Sequence, residues 1–323
     1  MRVLLRFAQS LCMCAALALT WSMAAAQQPG KPIRLFVPGP AGGSTDILAR
    51  LIGQYMSEDL ASPVIVENRP GATSIVSMQA LANQPADGNS ILLIYTSHVI
   101  NPLIMPNALF DPIKDFAPIA TLSSGPYVLT TGPAVPANTV AEFIAFGKKE
   151  GSINFGSPGV GSSNGLATQM FGDVVGLKMQ EIPYQGAAPI LVDLIGGRIH
   201  LYVSSVLSVL PHIKSGKIKA LAVDSETRVS LLPDVPTLAE AGVRPMNMQL
   251  WFGIVALAGT PKPIVDRYSA SINKILKMPA VVARLESQGG QPFISTPEQF
   301  ETFLKNETAK YASVVKKPAA EKK

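Results

Sequence analysis

Two glycine- and serine-rich loops, each entered from a short apolar strand and left through the start of a helix, constrain this chain most. The first is Pro38-Gly39-Pro40-Ala41-Gly42-Gly43-Ser44-Thr45-Asp46, after the apolar run 33–37. The second is Gly156-Ser157-Pro158-Gly159-Val160-Gly161-Ser162-Ser163-Asn164, after 153–155. A strand–loop–helix unit of this kind aims backbone N–H groups and small hydroxyls at one point, where the helix N-terminus adds positive potential. That chemistry binds anions. Neither loop holds Lys, Arg, Cys or His, so neither is built to perform a reaction. Two such loops predict two lobes gripping one small anion between them.

The rest of the pattern agrees with alternating strands and helices around sheets, an α/β class. A helix is expected over 45–60, with Ile47, Leu48, Leu51, Ile52, Tyr55 and Met56 on one face. Ser44 is its expected N-cap, and Asp46 sits in the first turn, where a carboxylate suits the dipole. Strands are expected at 63–67 and 90–95, with a helix over 74–83 between them. The capping box of Thr139 and Glu142 opens a helix to 149. Further strands are expected at 153–155, 179–182, 199–203 and 219–223, with helices starting near Ser163, Ala188 and Ser208. Two extended stretches bordered by Gly or Pro, 127–131 and 250–254, are candidate crossovers between lobes. They place the first lobe at 27–128 and 251–323 and the second at 129–250. A plain two-domain chain with one linker is the alternative the pattern leaves open.

Residues 1–26 are expected to be a cleaved secretory signal. Arg2 and Arg6 precede an apolar run over 7–19, and Ala24-Ala25-Ala26 offers a cut before Gln27. The run is shorter than the ~20 residues of a membrane span, and Leu11-Cys12-Met13-Cys14 lacks the small residues expected before a lipidated Cys. The expected location is therefore the periplasm. Both cysteines, Cys12 and Cys14, fall in that signal, so thiolate metal sites and cysteine nucleophiles are excluded. His98, His200 and His212 show no metal-ligand spacing, and neither metal nor cofactor is expected. Without Arg2 and Arg6 the chain has 25 basic against 22 acidic residues, and Lys316, Lys317, Lys322 and Lys323 crowd a solvated tail. No clustered Arg with interleaved aromatics marks a nucleic-acid surface.

In order and spacing, a set of motifs resembles the Bug family of extracytoplasmic solute-binding proteins, the receptors of tripartite tricarboxylate transporters. The set begins with Lys31-Pro32-Ile33-Arg34, Ala41-Gly42-Gly43-Ser44-Thr45-Asp46 and Val66-Glu67-Asn68-Arg69-Pro70-Gly71-Ala72. It continues through Asp111-Pro112-Ile113-Lys114-Asp115-Phe116, Pro183-Tyr184-Gln185-Gly186-Ala187-Ala188-Pro189 and Asp193-Leu194-Ile195-Gly196-Gly197. Leu232-Pro233-Asp234-Val235-Pro236-Thr237, Trp251-Phe252-Gly253 and Ala258-Gly259-Thr260-Pro261 complete it. The resemblance implies a two-lobed periplasmic-binding-protein fold of type II, each lobe a mostly parallel sheet flanked by helices, with a cleft between. It implies a small organic carboxylate held by backbone groups, hydroxyls and water, delivered by a monomeric receptor to membrane transporter subunits.

Mapped residue by residue, the first lobe would offer Ala41, Gly42, Gly43, Ser44 and Thr45. The second would offer Ser157, Gly161, Ser162 and Ser163, with Gly186, Ala187 and Ala188 at a third helix start. Asp46 is expected to organise its loop, since a carboxylate beside the ligand would repel it. Thr96, Ser97 and His98 follow a strand end and are expected to line the cleft; packing is the alternative for His98, and core or hinge packing is expected of Trp251. Two positions depart from the family. Gly165 stands where a His is common, and Ser204 and Ser205 stand where an acid would suit an ammonium group. The ligand is therefore expected to lack a charged amine. Sensing through a periplasmic sensor-kinase domain is an alternative role. An exported serine hydrolase is a further one, although neither Ser44 nor Ser162 lies in Gly-x-Ser-x-Gly. Nucleotide binding fails for want of a Gly-Lys-Ser/Thr ending.

Overall fold

The computed structural model describes residues 31–71, 74–104, 110–159 and 161–315. The expected signal, Ala72, Val160 and the lysine tail lie outside the described residues. β1 (Ile33–Val37) is the centre of a parallel set, flanked by β2 (Val64–Asn68) and β3 (Ser90–Tyr95). α1 (Ser44–Leu60) joins β1 to β2 and buries Leu48, Ile52 and Met56 of the expected face, with Ala49 and Leu60 beside them, while Ile47, Leu51 and Tyr55 are half-buried. Full burial of each large side chain stabilises by about 1.5–3 kcal/mol. α2 (Ile75–Ala82) returns to β3, and α3 (Ser97–Ile104) follows it.

The element that organises the molecule is β4 (Phe116–Thr131), which serves both lobes. Up to Pro126 it pairs antiparallel with β9 (Gln249–Leu257), and β9 in turn pairs with β3. From Tyr127 onward its partners are β7 (Tyr202–Ser205) and β8 (Lys219–Asp224), also antiparallel. Pro118 and Pro126 hide this strand in the sequence, because Pro cannot donate to a ladder. Register shifts between Pro118 and Ala120 and between Thr121 and Ser123 accommodate the irregularity. The parallel character expected of each lobe holds for β2-β1-β3 and for β5 (Ile153–Ser157) with β6 (Met179–Pro183). The crossover strands are antiparallel because one leaves the first lobe and the other re-enters it.

The return crossover is pinned by side chains. Asp224, at the end of β8, accepts the backbone N–H groups of Met246 at 3.0 Å and Met248 at 2.9 Å. Between them Asn247 takes a left-handed φ of 55°. Burial pushes the Asp224 carboxyl up, against those same hydrogen bonds. Trp251 is fully buried, edge-on to Phe300 and Phe303, and its indole N–H donates to Glu307 at 3.0 Å.

In the second lobe β5 and β6 are covered by α4 (Val140–Glu150), α5 (Ser163–Val175) and α6 (Ala187–Ile195), and α7 (Val206–Lys214) follows β7. Thr139 caps α4 by accepting the Glu142 N–H, while the Glu142 carboxylate accepts from Asn138 instead of closing the expected box. α8 (Lys262–Ile275), α9 (Pro279–Glu286), β10 (Gln291–Pro292) and α10 (Pro297–Val314) follow β9, and β10 pairs with β4. A reciprocal capping box of Thr296 and Gln299 starts α10. Thr296→Ala removes one acceptor of that box and is expected to cost about 1 kcal/mol, measured by urea unfolding.

Candidate ligand site

Of the helices that follow strand ends among the described residues, α1 and α7 bring their starts to one pocket. At α1 the N-cap is Gly43 rather than Ser44, and no side chain caps the helix. Gly42 has φ 79°, a conformation open to glycine at little cost. The Asp46 carboxylate accepts the Gly42 N–H at 2.8 Å and a bond from Arg50 at 3.0 Å. Burial opposes its ionisation, but the bonds from Arg50, Gly42 and Asn68 outweigh that and hold it below the usual carboxylate range. Pro40 O accepts the Gly43 N–H at 3.1 Å. The N–H groups of Ser44 and Thr45 belong to the first helical turn and have no intrahelical acceptor.

From the second lobe, α7 begins at Ser205, an N-cap whose hydroxyl bonds Ser208 Oγ at 2.9 Å and not a backbone N–H. Ser44 and Ser205 line one pocket from opposite lobes, with an accessible volume of about 40 Å³ as the lobes stand here. A drug-sized ligand occupies roughly 300 Å³ or more, so the lobes must part to admit one. Its floor is the crossover run Ser123-Ser124-Gly125-Pro126, and its other walls are mainly apolar. No charged side chain lines it. An anion here would be met by dipoles and hydroxyls alone.

The remaining sequence candidates divide. Ala41, Gly42, Thr45, Gly186, Ala187 and Ala188 keep exposed surface at the α1 and α6 starts, though none lines this pocket. Ser162, Ser163, Ser157, Ser97 and Ser204 are enclosed. Ser162 caps α5 by accepting the Gly165 N–H at 3.2 Å, and Ser157 Oγ accepts from Gly159 at 3.2 Å. Gly161, with φ 83°, shapes the turn before that cap. The Ser163 N–H donates across the lobes to Ser97 Oγ at 3.2 Å. Gly165 has a local reason: a Cβ there would lie 2.7 Å from Glu181 Oε1.

Thr96 and His98 are likewise corrected. His98 does not line the cleft: it is fully buried, its Nε2 is 2.9 Å from Pro112 O, and it packs against Phe110 and Phe116. Burial pushes its pKa down to about 4 despite the Pro112 hydrogen bond. Thr96 is also buried; its hydroxyl donates to Gln249 O at 3.3 Å and accepts the Trp251 N–H at 3.1 Å. It ties β9 to the end of β3, so β9 covers that strand end. Ser123, Ser124 and Gln288 also line the pocket, at positions no binding motif marks. The only local signals were the Ser-Ser-Gly-Pro run and Gly289-Gly290. Among the described residues no group of acidic, His or Cys side chains could hold a metal, and no helix is long and apolar enough to cross a membrane.

The model of a family described as "Tripartite tricarboxylate transporter family receptor" matches residues 48–319. The chain is 35% identical to protein BugT of Bordetella pertussis over 298 residues, covering 91% of each. The solved structure of Rpa4515 from R. palustris with adipate superposes with a TM-score of 0.85 at 30% identity, covering 89% of this chain and 97% of that one. MatC from Rhodopseudomonas palustris, with bound malate, superposes with a TM-score of 0.82 at 27% identity, covering 90% of this chain and all of that one.

Proposed function

This chain belongs to the tripartite tricarboxylate transporter family of receptors, and from that premise we propose that it captures a small organic carboxylate between its lobes and delivers it to membrane transporter subunits. The observation that carries this reading is the pocket entered from opposite lobes by the α1 and α7 N-termini, with Ser44 and Ser205 in its wall. Each helix start offers N–H groups and about half a positive charge. Together they suit one carboxylate without a cationic side chain. Relatives solved with adipate and malate support the ligand class.

The lobes, 27–128 with 251–323 and 129–250 between, close around the ligand by a hinge. The partner switch of β4 between Pro126 and Tyr127, and the pinned return at 246–248, are where that rotation is absorbed. Residues 1–26 direct export and are removed. Membership of a receptor family supports binding rather than catalysis as its role. The ligand carries no ammonium group, since Ser204 and Ser205 end β7 where an acid would pair with one.

Calorimetric titration with aliphatic and aromatic carboxylates and with amino acids tests this reading. One-to-one binding of a carboxylate at micromolar or lower concentration is expected. Tight, selective binding of aspartate or glutamate contradicts the uncharged-nitrogen part. Uptake of the labelled ligand by cells with and without the chain tests delivery, and equal uptake would overturn it.

A further inference from the structure

The pocket has a third wall that neither the loops nor the family motifs point to. It is the turn Gln288–Gly290, directly after α9, with Leu285 from that helix. Three close approaches fix the turn. A Cβ on Gly289 would lie 2.5 Å from Val206 Cβ in α7. A Cβ on Gly125 would lie 2.7 Å from Gly289 O, and one on Gly290 would lie 2.5 Å from Ser123 Oγ. The backbone of the turn is thus wedged between the crossover strand and the second lobe.

This wall differs electrically from the other two. α1 and α7 present N-termini, whereas this wall is the turn after α9, whose Ala283, Leu285 and Glu286 carbonyls are bonded to N–H groups of residues 287–290 and whose last turn carries both Arg284 and Glu286, neither of them lining the pocket. The side chains beside it are Leu285, Leu250 and Phe252, and the one polar group it adds is the neutral Gln288 amide. A carboxyl group placed against this wall would lose water and meet neither a charged side chain lining the pocket nor a helix N-terminus. An apolar chain, or an uncharged group that hydrogen-bonds an amide, meets no such penalty.

Resting on the carboxylate-receptor reading, we propose that the Gln288 wall makes this receptor select carboxylates whose remaining body is uncharged, and reject those with a second carboxylate. Calorimetry with hexanoate and adipate, equal in carbon count and different in one charged end, tests it. The wild-type chain is expected to bind hexanoate at least tenfold more tightly than adipate. Gln288→Lys places a cation at the α9 C-terminus and is expected to shrink that ratio at least tenfold, while Gln288→Ala leaves hexanoate preferred. Adipate equal to or tighter than hexanoate in the wild type, or a ratio unmoved by Gln288→Lys, overturns the selection and leaves the receptor reading standing. Silence towards both acids and towards benzoate and succinate, from a chain folded by circular dichroism, overturns the receptor reading and the selection together.

Discussion

Ser205→Asp is expected to lower carboxylate affinity about a hundredfold while leaving the protein as stable as before or slightly more so. The two effects have opposite signs for one reason. Ser205 is the N-cap of α7 and makes no side-chain bond to the helix backbone. Asp is among the best N-cap residues, so α7 gains from the exchange. The same carboxylate, however, takes up the positive end of the helix and faces the ligand across the pocket. Two like charges ~4 Å apart interact by about 4 kcal/mol at an effective dielectric constant of 20. The open mouth of the pocket reduces that, leaving the hundredfold loss. Ser205→Ala, which removes only a hydroxyl, is expected to weaken binding about tenfold or less, in line with ~1.5 kcal/mol for a hydrogen bond to a charged group. Calorimetry of the three proteins, paired with urea unfolding, reads both signs. Equal affinities for the Asp and Ala variants would place the ligand away from α7.

The second large effect concerns stability. His98 is buried among Phe110, Phe116 and the Pro112 carbonyl, and its pKa is pushed down to about 4 from an ordinary 6.5. The folded protein refuses a proton that the unfolded chain accepts below pH 6.5. Stability from the neutral ring is therefore complete above pH 6.5 and is lost progressively as the pH falls towards 4. A gap of 2.5 pK units is roughly 3 kcal/mol. Other groups titrate in the same range: Asp46 is held low, which adds to the loss in more acid solution, and Asp224 is raised, which opposes it. Comparison with His98→Phe isolates the histidine. The variant keeps an aromatic ring between Phe110 and Phe116 and cannot protonate. Urea unfolding at pH 7 and pH 4.5 should show the wild type losing about 2–3 kcal/mol more than the variant. Equal losses would mean that the ring finds solvent on protonation without unfolding.

The parts legible in the sequence are those set by local physics. The α1 face follows from 3.6-residue periodicity, and its loop from glycines that only a tight turn requires. β3, with six consecutive residues from Ser90 to Tyr95, announces itself by an apolar run. The hidden parts depend on contacts distant in sequence. β4 carries two prolines and reads as loop until β9, β7 and β8 are laid beside it. His98 and Thr96 stand at a strand end, which in this architecture is the place for a ligand. Only the path of β9 across that end shows why Thr96 is enclosed, and only the return of 110–116 shows it for His98. Gln288 lies about 240 residues from Ser44, and no local pattern links them to one pocket. Asp46 was readable because its chemistry is local: its acceptor atoms serve Gly42 and Arg50, both four residues away.

The claim at the centre of this account is that the cleft binds an anionic carboxylate, and the most direct test compares acids with their own amides. Thermal unfolding would be followed while hexanoate, benzoate, succinate or adipate is added, and again with hexanamide and benzamide. A ligand that binds only the folded state stabilises it by about 2.7 kcal/mol at a hundred times its Kd. The account predicts a saturable rise in Tm with at least one acid and none with its amide. An equal rise with acid and amide, or no rise with any acid, would contradict it.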